Sequence, residues 1–229
     1  MDLYVCGDLY GGSNHDADKL MYPYFNPSEG SILFQTGDFG FIWNNSHDAK
    51  EKYWLDWFDS KPWTTCFIDG NHENMHRLSD FPIIEWNGGK VHKISNKVIH
   101  LMRGQIYTVN NRKLFTFGGA LSIDKEYRVK NVTWWEEEIP NNDEVKAANN
   151  NLAKCNYKVD YILTHTCPSD LIYEILPRNS TIYYDPTNKI LDKFYETVDY
   201  THWYFGHWHE DIKLDNKHTV LYKNVLKIE

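Results

Sequence analysis

Five short apolar segments of this sequence each end in a loop that begins with a residue able to bind a metal ion. The segments, at residues 3–6, 32–36, 64–68, 159–164 and 202–205, have the length and composition of buried β-strands. The loops are Gly7-Asp8, Gly37-Asp38, Gly70-Asn71-His72, Thr164-His165 and Gly206-His207-Trp208-His209. Because sites in α/β sheets form at the carboxyl ends of strands, the five loops are expected to meet at one edge.

The residues in these loops are chemically suited to transition metals. They supply two carboxylates, one amide and up to four imidazoles, a mixture that favours Mn²⁺, Zn²⁺, Fe, Co or Ni over Ca²⁺. Taken singly, a Gly-Asp pair is usually a turn, and a lone histidine after a strand is usually a hydrogen-bonded surface residue. Five such loops in one chain indicate more ligands than one ion needs, and therefore two metals that share a bridging group.

Composition and charge limit the other possibilities. The chain has 229 residues, a net charge of −8 and four cysteines without a Cys-x-x-Cys pair. We expect one domain over residues 1–229 and a cytoplasmic location. The sequence has neither a signal peptide nor an apolar run of about 18 residues, so no membrane association is expected. The acidic balance disfavours nucleic acid as a partner, and therefore nuclease action.

Local patterns predict several of the connecting elements. Apolar residues at helical spacing indicate a helix over 47–59 with Ser46 as its N-cap. Asn110-Asn111 is typical of a two-residue hairpin turn. Residues 171–186 have no clear pattern and are expected to be irregular, with a helix over 187–197.

The ordered loops resemble the motifs of the calcineurin-like metallophosphoesterases. The similarity extends from Asp8 to His209, and its specific parts are Gly70-Asn71-His72-Glu73 and Gly206-His207-Trp208-His209. The resemblance implies an α/β fold, a four-layer sandwich of two facing mixed β-sheets flanked by helices. It also implies a hydrolase that cleaves a phosphate mono- or diester by attack of a metal-bound hydroxide at a two-metal centre, with manganese as the expected metal.

The resemblance also implies a role for each motif residue. Asp38 would bridge the metals, with Asp8 and His209 on the first ion. Asn71, His165 and His207 would hold the second ion. His72 would be catalytic, donating a proton to the leaving oxygen, and Glu73 would support the loop.

Tyr10 departs from the family pattern, which has histidine at this position. Tyr10 could ligate as phenolate, or line the cleft while Asp8, Asp38, His209 and water hold the first metal, or mark a weak first site with reduced activity. His15 could substitute if the loop folded back. The alternative function is therefore a catalytically weakened or non-catalytic binding module, with Trp43, Trp134 and Trp135 as candidates for its partner surface.

The motifs leave the substrate open. A phosphorylated small molecule, a nucleotide or a phosphoprotein would all suit the chemistry, and monoesters and diesters are not distinguished. Arg77 and Arg103 could clamp a phosphate through bidentate hydrogen bonds, although the favoured interpretation of each is an ordinary surface arginine. The oligomeric state is also left open.

Overall fold

Two mixed β-sheets of seven and six strands form the centre of the protein. The computed structural model describes residues 1–177, 179–181 and 184–228. Its strands are β1 (Leu3–Cys6), β2 (Ser31–Gln35), β3 (Trp63–Phe67), β4 (Ile83–Trp86), β5 (Gly89–Lys93), β6 (Val98–Leu101), β7 (Gln105–Val109), β8 (Arg112–Phe117), β9 (Lys158–Thr164), β10 (Asp199–Phe205), β11 (Ile212–Lys213), β12 (His218–Val220) and β13 (Val225–Ile228). Its α-helices are α1 (Ala49–Asp59), α2 (Met75–Asp80), α3 (Asn142–Lys154), α4 (Ser169–Ile175) and α5 (Pro186–Thr197). Short 3-10 helices cover Tyr10–His15, Asp18–Leu20, Lys125–Tyr127 and Glu136–Glu138.

Both sheets are parallel in the middle and antiparallel at their margins. The seven-stranded sheet has the order β13-β1-β2-β3-β6-β5-β4, and the six-stranded sheet has the order β11-β12-β10-β9-β8-β7. Strands β1, β2, β3 and β6 run parallel, as do β8, β9, β10 and β12. Central parallel strands are covered on both faces, which explains why all five residues of β2 are buried.

Three apolar layers separate the sheets and helices. Val5 and Phe34 of the first sheet and Leu163 of the second belong to the layer between the sheets. Phe58 of α1 belongs to the layer on the outer face of the first sheet. Phe194 of α5 belongs to the layer on the outer face of the second sheet. The order helices, sheet, sheet, helices confirms the predicted four-layer α/β sandwich.

Strand register brings the predicted loops to a common edge. Cys6 pairs with Gln35, and Gln35 pairs with Phe67, so β1, β2 and β3 end side by side. In the second sheet, β9 and β10 are parallel neighbours, with Leu163 opposite Tyr204. The five loops therefore leave the carboxyl ends of strands that are adjacent within each sheet.

The structure tests the predicted hairpin turn and the predicted N-cap of α1. Asn110 and Asn111 have φ values of 50° and 60° between β7 and β8, as a tight hairpin turn requires. Helix α1 begins after Asp48, whose side chain accepts from the Glu51 N–H at 2.8 Å, so Ser46 as N-cap was wrong.

The prediction of irregular chain over 171–186 missed α4, which is anchored by the buried side chains of Leu171 and Ile172. Arg178, Ile182 and Tyr183 of that range lie outside the described residues.

All four cysteines are free thiols. Burial raises the pKa of the Cys6 thiol to about 12, so it is an inert packing residue. Among the helices of the described residues, none combines the length and the apolar character that a membrane span needs.

Candidate functional site

His165 lies between the loops of β2 and β3. Its Nε2 atom is 3.2 Å from Asp38 Oδ1 and 3.2 Å from Asn71 Oδ1. Its Nδ1 atom is 2.8 Å from the Thr36 carbonyl oxygen, so Nδ1 carries the hydrogen and donates it. The atom that faces Asp38 and Asn71 is therefore Nε2, the nitrogen free to take a proton or bind a cation.

Asp8 joins the loop of β1 to the loop of β10. Its Oδ1 atom accepts from the His207 N–H at 3.1 Å, and its Oδ2 atom lies 3.5 Å from His209 Nε2. Asp8, Asp38 and His165 are all completely buried. The His165 and His207 rings lie 5.0 Å apart and join these two sets of contacts. The six residues predicted as metal ligands therefore lie in one neighbourhood, formed by both sheets. The residues are Asp8, Asp38, Asn71, His165, His207 and His209.

Several of these residues have a strained backbone. Asp38, His207 and His209 have φ values of 56°, 71° and 54°, and Tyr10 has a φ of 46°. Side chains other than glycine rarely adopt this left-handed conformation, and such strain concentrates at functional sites. Strained residues therefore occur in the loops that follow β1, β2 and β10 at this site.

Two glycines allow the loops to pass close to the carboxylates. A Cβ added to Gly70 would lie 2.1 Å from Asp38 Oδ1. A Cβ added to Gly206 would lie 2.3 Å from Asp8 Oδ1. Both glycines precede a predicted ligand, so the motif spacing has a direct steric reason.

Charge is unevenly distributed among the buried groups. Burial and the nearby Asp38 raise the pKa of Asp8 to about 6, although His165 opposes this. Burial would also raise the pKa of Asp38, but the His165 imidazole beside it holds that pKa well below its usual range. Burial opposes the charged form of His165, yet Asp38 raises its pKa to about 10. Burial lowers the pKa of His207 to about 3, so this imidazole is neutral at pH 7.

His72 faces an arginine that sequence reasoning missed. Its backbone N–H donates to Asp38 Oδ1 at 2.8 Å, and Arg128 Nη2 donates to its Nε2 atom at 3.1 Å. Burial is the main cause of a lowered pKa at His72, and Arg128 lowers this pKa further. Arg128 also pairs with Asp124 through Nε at 2.8 Å. It lies in an irregular stretch without a motif, so no sequence signal pointed to it.

Tyr10 lies within the ligand group as a neutral phenol. Its hydroxyl is 3.3 Å from Asp8 Oδ2 and 2.5 Å from His209 Nε2. Burial and the neighbouring carboxylates raise the pKa of Tyr10 far above its usual range. The geometry therefore favours Tyr10 as a lining residue over a phenolate ligand. His15 is 89 % exposed and paired with Asp18, so it does not replace the missing imidazole.

The two predicted phosphate-binding arginines are engaged elsewhere. Arg77 makes a two-pronged ion pair with the buried Glu51. Arg103 is 4 % exposed and donates through Nε and Nη2 to Asp69. Their role in substrate binding stays a prediction, which these ion pairs disfavour.

Glu73 supports the loop that follows Asp38. Its carboxylate accepts from the backbone N–H groups of Phe39 at 2.6 Å and Gly40 at 3.2 Å. Two adjacent backbone donors on one buried carboxylate fix the path of the chain on leaving Asp38. This geometry agrees with the supporting role expected for Glu73.

The residues around Asp38 have the chemistry to bind a cation, but their side chains are not already arranged as a coordination shell. Asp38 Oδ2 is buried and has no hydrogen-bond partner in the described part of the chain. Such an atom is costly unless something binds it. Within residues 1–177, 179–181 and 184–228, no three His, Cys, Asp or Glu side chains form a metal-ligand cluster. The proposed ligands instead hydrogen-bond in pairs, and their set includes the Asn71 amide.

The model of the calcineurin-like phosphoesterase family matches residues 1–211. The chain belongs to the calcineurin-like phosphoesterase family. Membership confirms the resemblance and supports a phosphoester hydrolase in general terms, in a family that generally uses a two-metal centre.

Other comparisons give more distant similarity. The comparison with curated proteins gave no match. Among solved structures, a phosphopantetheinyl hydrolase from Mycobacterium tuberculosis is 15 % identical, with a TM-score of 0.48. The match covers 96 % of this chain and 88 % of that chain.

Proposed function

We propose that this protein is a metal-dependent hydrolase of phosphate mono- or diesters with a two-metal centre. The observation that carries the proposal is the convergence of five strand-end loops around Asp38, whose buried Oδ2 atom has no partner among the described residues. The matched family supports the hydrolase class. The metal identity, with manganese preferred, and the choice between monoester and diester are part of the proposal.

The metal ligands are assigned from position and contact. Asp38 would bridge the ions, Asp8 and His209 would hold the first, and Asn71, His165 and His207 would hold the second. When bound, two metal ions would supply the nucleophile and neutralise charge on the phosphoryl group. His165 presents Nε2 because its Nδ1–H is donated to Thr36 O. To hold a cation, His165 would have to give up the proton that the neighbouring Asp38 favours, so metal affinity should fall at low pH.

We assign His72 as the group that protonates the leaving oxygen. In the present arrangement Nε2 accepts from Arg128 and so carries no proton. A phosphate ester in the cleft would offer the Arg128 guanidinium stronger acceptors, since charge-assisted hydrogen bonds to phosphate are favoured. The released Nε2 could then hold the proton that the leaving oxygen needs. Arg128 is thereby proposed as a phosphate-binding residue in place of Arg77 and Arg103.

The activity test uses p-nitrophenyl phosphate and its bis ester with Mn²⁺. The wild-type protein should hydrolyse at least one of them, and a chelator should stop the reaction. His72→Ala should lower kcat by about 100-fold or more. His76→Ala is the matched control, because His76 is half exposed and contacts Glu137 instead. Hydrolysis insensitive to both the chelator and His72→Ala would rule out the mechanism.

A non-catalytic binding module is the second candidate, because the Tyr10 hydroxyl lies between Asp8 and His209. The structure disfavours the partner surface predicted for such a module. Trp135 is 1 % exposed, and the Trp134 indole N–H donates to Glu138. Metal content separates the two functions. Two ions per chain support the enzyme, and none, together with no hydrolysis, would support the module.

A further inference from the structure

A cavity of about 610 Å³ opens beside the proposed reaction centre. Tyr10, His72 and His209 form one end of it, and Trp43, Trp54 and Asp16 lie among the other lining residues. Its volume is in the range of pockets that hold small organic ligands. A leaving group attached to a phosphate near His72 would extend into this space.

The tryptophans of the cavity are held in place by their neighbours. The Trp43 ring lies 5.9 Å from the His72 imidazole at an interplanar angle of 23°, and it meets Trp135 edge-on at 5.3 Å. Trp54 packs against Phe41 at 5.0 Å. Pre-positioned aromatic walls favour a planar ring, because stacking then costs little ordering of the protein.

Asp16 is a carboxylate of the cavity lining that has an unused hydrogen-bond acceptor. It is 5 % exposed, its Oδ1 atom accepts from the Tyr222 hydroxyl at 2.8 Å, and its Oδ2 atom has no partner within the described residues. The other acidic residues of the lining are engaged. Asp48 caps α1, and Glu51 pairs with Arg77.

The lysines near Asp16 do not neutralise its carboxylate. The ammonium of Lys19 donates to the backbone carbonyls of Asp8 and Tyr222. Lys50 is an exposed residue of the lining. Asp16 therefore offers an acceptor that a ligand's N–H group could satisfy, and the acidic wall disfavours a leaving group with further negative charge.

We propose that this cavity binds the leaving group of the substrate, and that this group is a planar ring carrying a hydrogen-bond donor. The ring would stack on Trp43 or Trp54, and its donor would be accepted by Asp16. This inference rests on the proposed function. Hydrolysis would break the phosphorus–oxygen bond to this group, water would supply the new oxygen on phosphorus, and the leaving oxygen would gain the proton.

Binding of adenosine tests the cavity without phosphate or metal. Measured by calorimetry on the whole protein, adenosine should bind at least about tenfold more tightly than ribose, a difference of about 1.4 kcal/mol. Trp43→Leu and Trp54→Leu should each weaken binding about tenfold, the usual size of a base–aromatic stack. Trp54→Phe and Trp43→Phe should restore most of it, which separates stacking from misfolding.

Two controls make the test specific. Trp86→Leu removes a tryptophan of β4 that packs on Tyr107 at 5.6 Å and does not line the cavity, and it should leave binding unchanged. Asp16→Ala, which removes the acceptor, should abolish the preference for adenosine over purine riboside, which lacks the amino donor. Equal binding of adenosine and ribose, or wild-type affinity in both leucine variants, would overturn the inference.

The outcomes distinguish this inference from the proposed function. Adenosine binding without any phosphoesterase activity would contradict the proposed function and leave the cavity as a binding site. Metal-dependent hydrolysis with no ring binding would contradict only the cavity's role in substrate choice.

Discussion

Tyr10 determines how the proposed first metal site differs from the family pattern. Its hydroxyl bridges Asp8 and His209, the two side chains assigned to that ion. Burial and the neighbouring carboxylates keep it a neutral phenol. A neutral phenol is a poor metal ligand, so in the proposed assignment the first site would have fewer strong donors than the second.

Tyr10→His should strengthen the first site. An imidazole at this position adds a neutral nitrogen ligand and removes the hydroxyl that competes for Asp8 and His209. Mn²⁺ affinity, measured by titration calorimetry, should rise on the order of tenfold. Tyr10→Phe separates loss of the hydroxyl from gain of the imidazole. Identical Mn²⁺ affinity in wild type and Tyr10→His would contradict the placement of the first metal.

Sequence reasoning located the motif residues but not their partners. Asp8, Asp38 and His165 were identified because each follows an apolar strand. The contacts of Tyr10 with His209 and of Arg128 with His72 join residues 199 and 56 positions apart. Such contacts depend on how the two sheets pack, which local patterns do not encode. The roles of the site residues stay predictions.

The chain between β6 and β7 links the two sheets through Arg103. This arginine and Asp69, which follows β3, form an ion pair with side chains 4 % and 1 % exposed. Arg103 also donates to the Glu137 and Glu138 carbonyls. The cluster fixes the segment that leads into Asn71 and His72.

Arg103→Met should destabilise the fold strongly. The substitution leaves the Asp69 carboxylate buried without its cation, which costs about 3–5 kcal/mol of unfolding free energy. Urea unfolding measures the change. Arg112→Met is the control, because Arg112 is 52 % exposed in its ion pair with Asp160 and should contribute less than about 1 kcal/mol. Equal losses in the two variants would contradict a special role for the buried pair.

Strand ends were easier to predict than helix limits. Apolar runs end sharply at Gly-Asp and Gly-Asn, so the carboxyl edges of β1, β2 and β3 followed from the sequence. Helix α4 was missed because it has seven residues, begins after a proline and lacks a side-chain N-cap hydrogen bond. Its stability comes from packing against the second sheet, which outweighs its weak local signals.

A buried histidine pair links the stability of the whole protein to pH. His92 and His100 stack at 5.2 Å, with their Nδ1 atoms 2.9 Å apart, and His100 Nε2 lies 3.1 Å from Asp69. Burial, with a smaller effect of His100, lowers the pKa of His92 from 6.5 to about 4. Between these values the unfolded chain binds more protons, so the free energy of unfolding decreases as pH falls below 6.5.

His92→Gln should flatten this dependence. Between pH 6.5 and 5 the wild type should lose about 1.5 kcal/mol through His92, and the variant should lose correspondingly less. Urea unfolding at both pH values gives the two slopes. His15→Gln, at a residue 89 % exposed, should keep the wild-type slope. A variant slope as steep as that of the wild type would exclude His92 as a source of the acid sensitivity.

The four-layer architecture and the family were predictable because both depend on features spread along the whole chain. The matched family covers residues 1–211, whereas one domain over residues 1–229 stays a prediction. The cavity with Trp43, Trp54 and Asp16 was not predicted, because its walls come from separate loops and a helix without a shared motif.

Metal content measured beside activity tests the central proposal most directly. Protein purified with Mn²⁺ should hold about two ions per chain by elemental analysis, as a two-metal phosphoesterase requires. Removing them with a chelator should abolish hydrolysis of the p-nitrophenyl esters, and returning Mn²⁺ should restore it. Asp38→Asn should lower both the metal content and the hydrolysis. Full hydrolysis by metal-free protein would contradict the account.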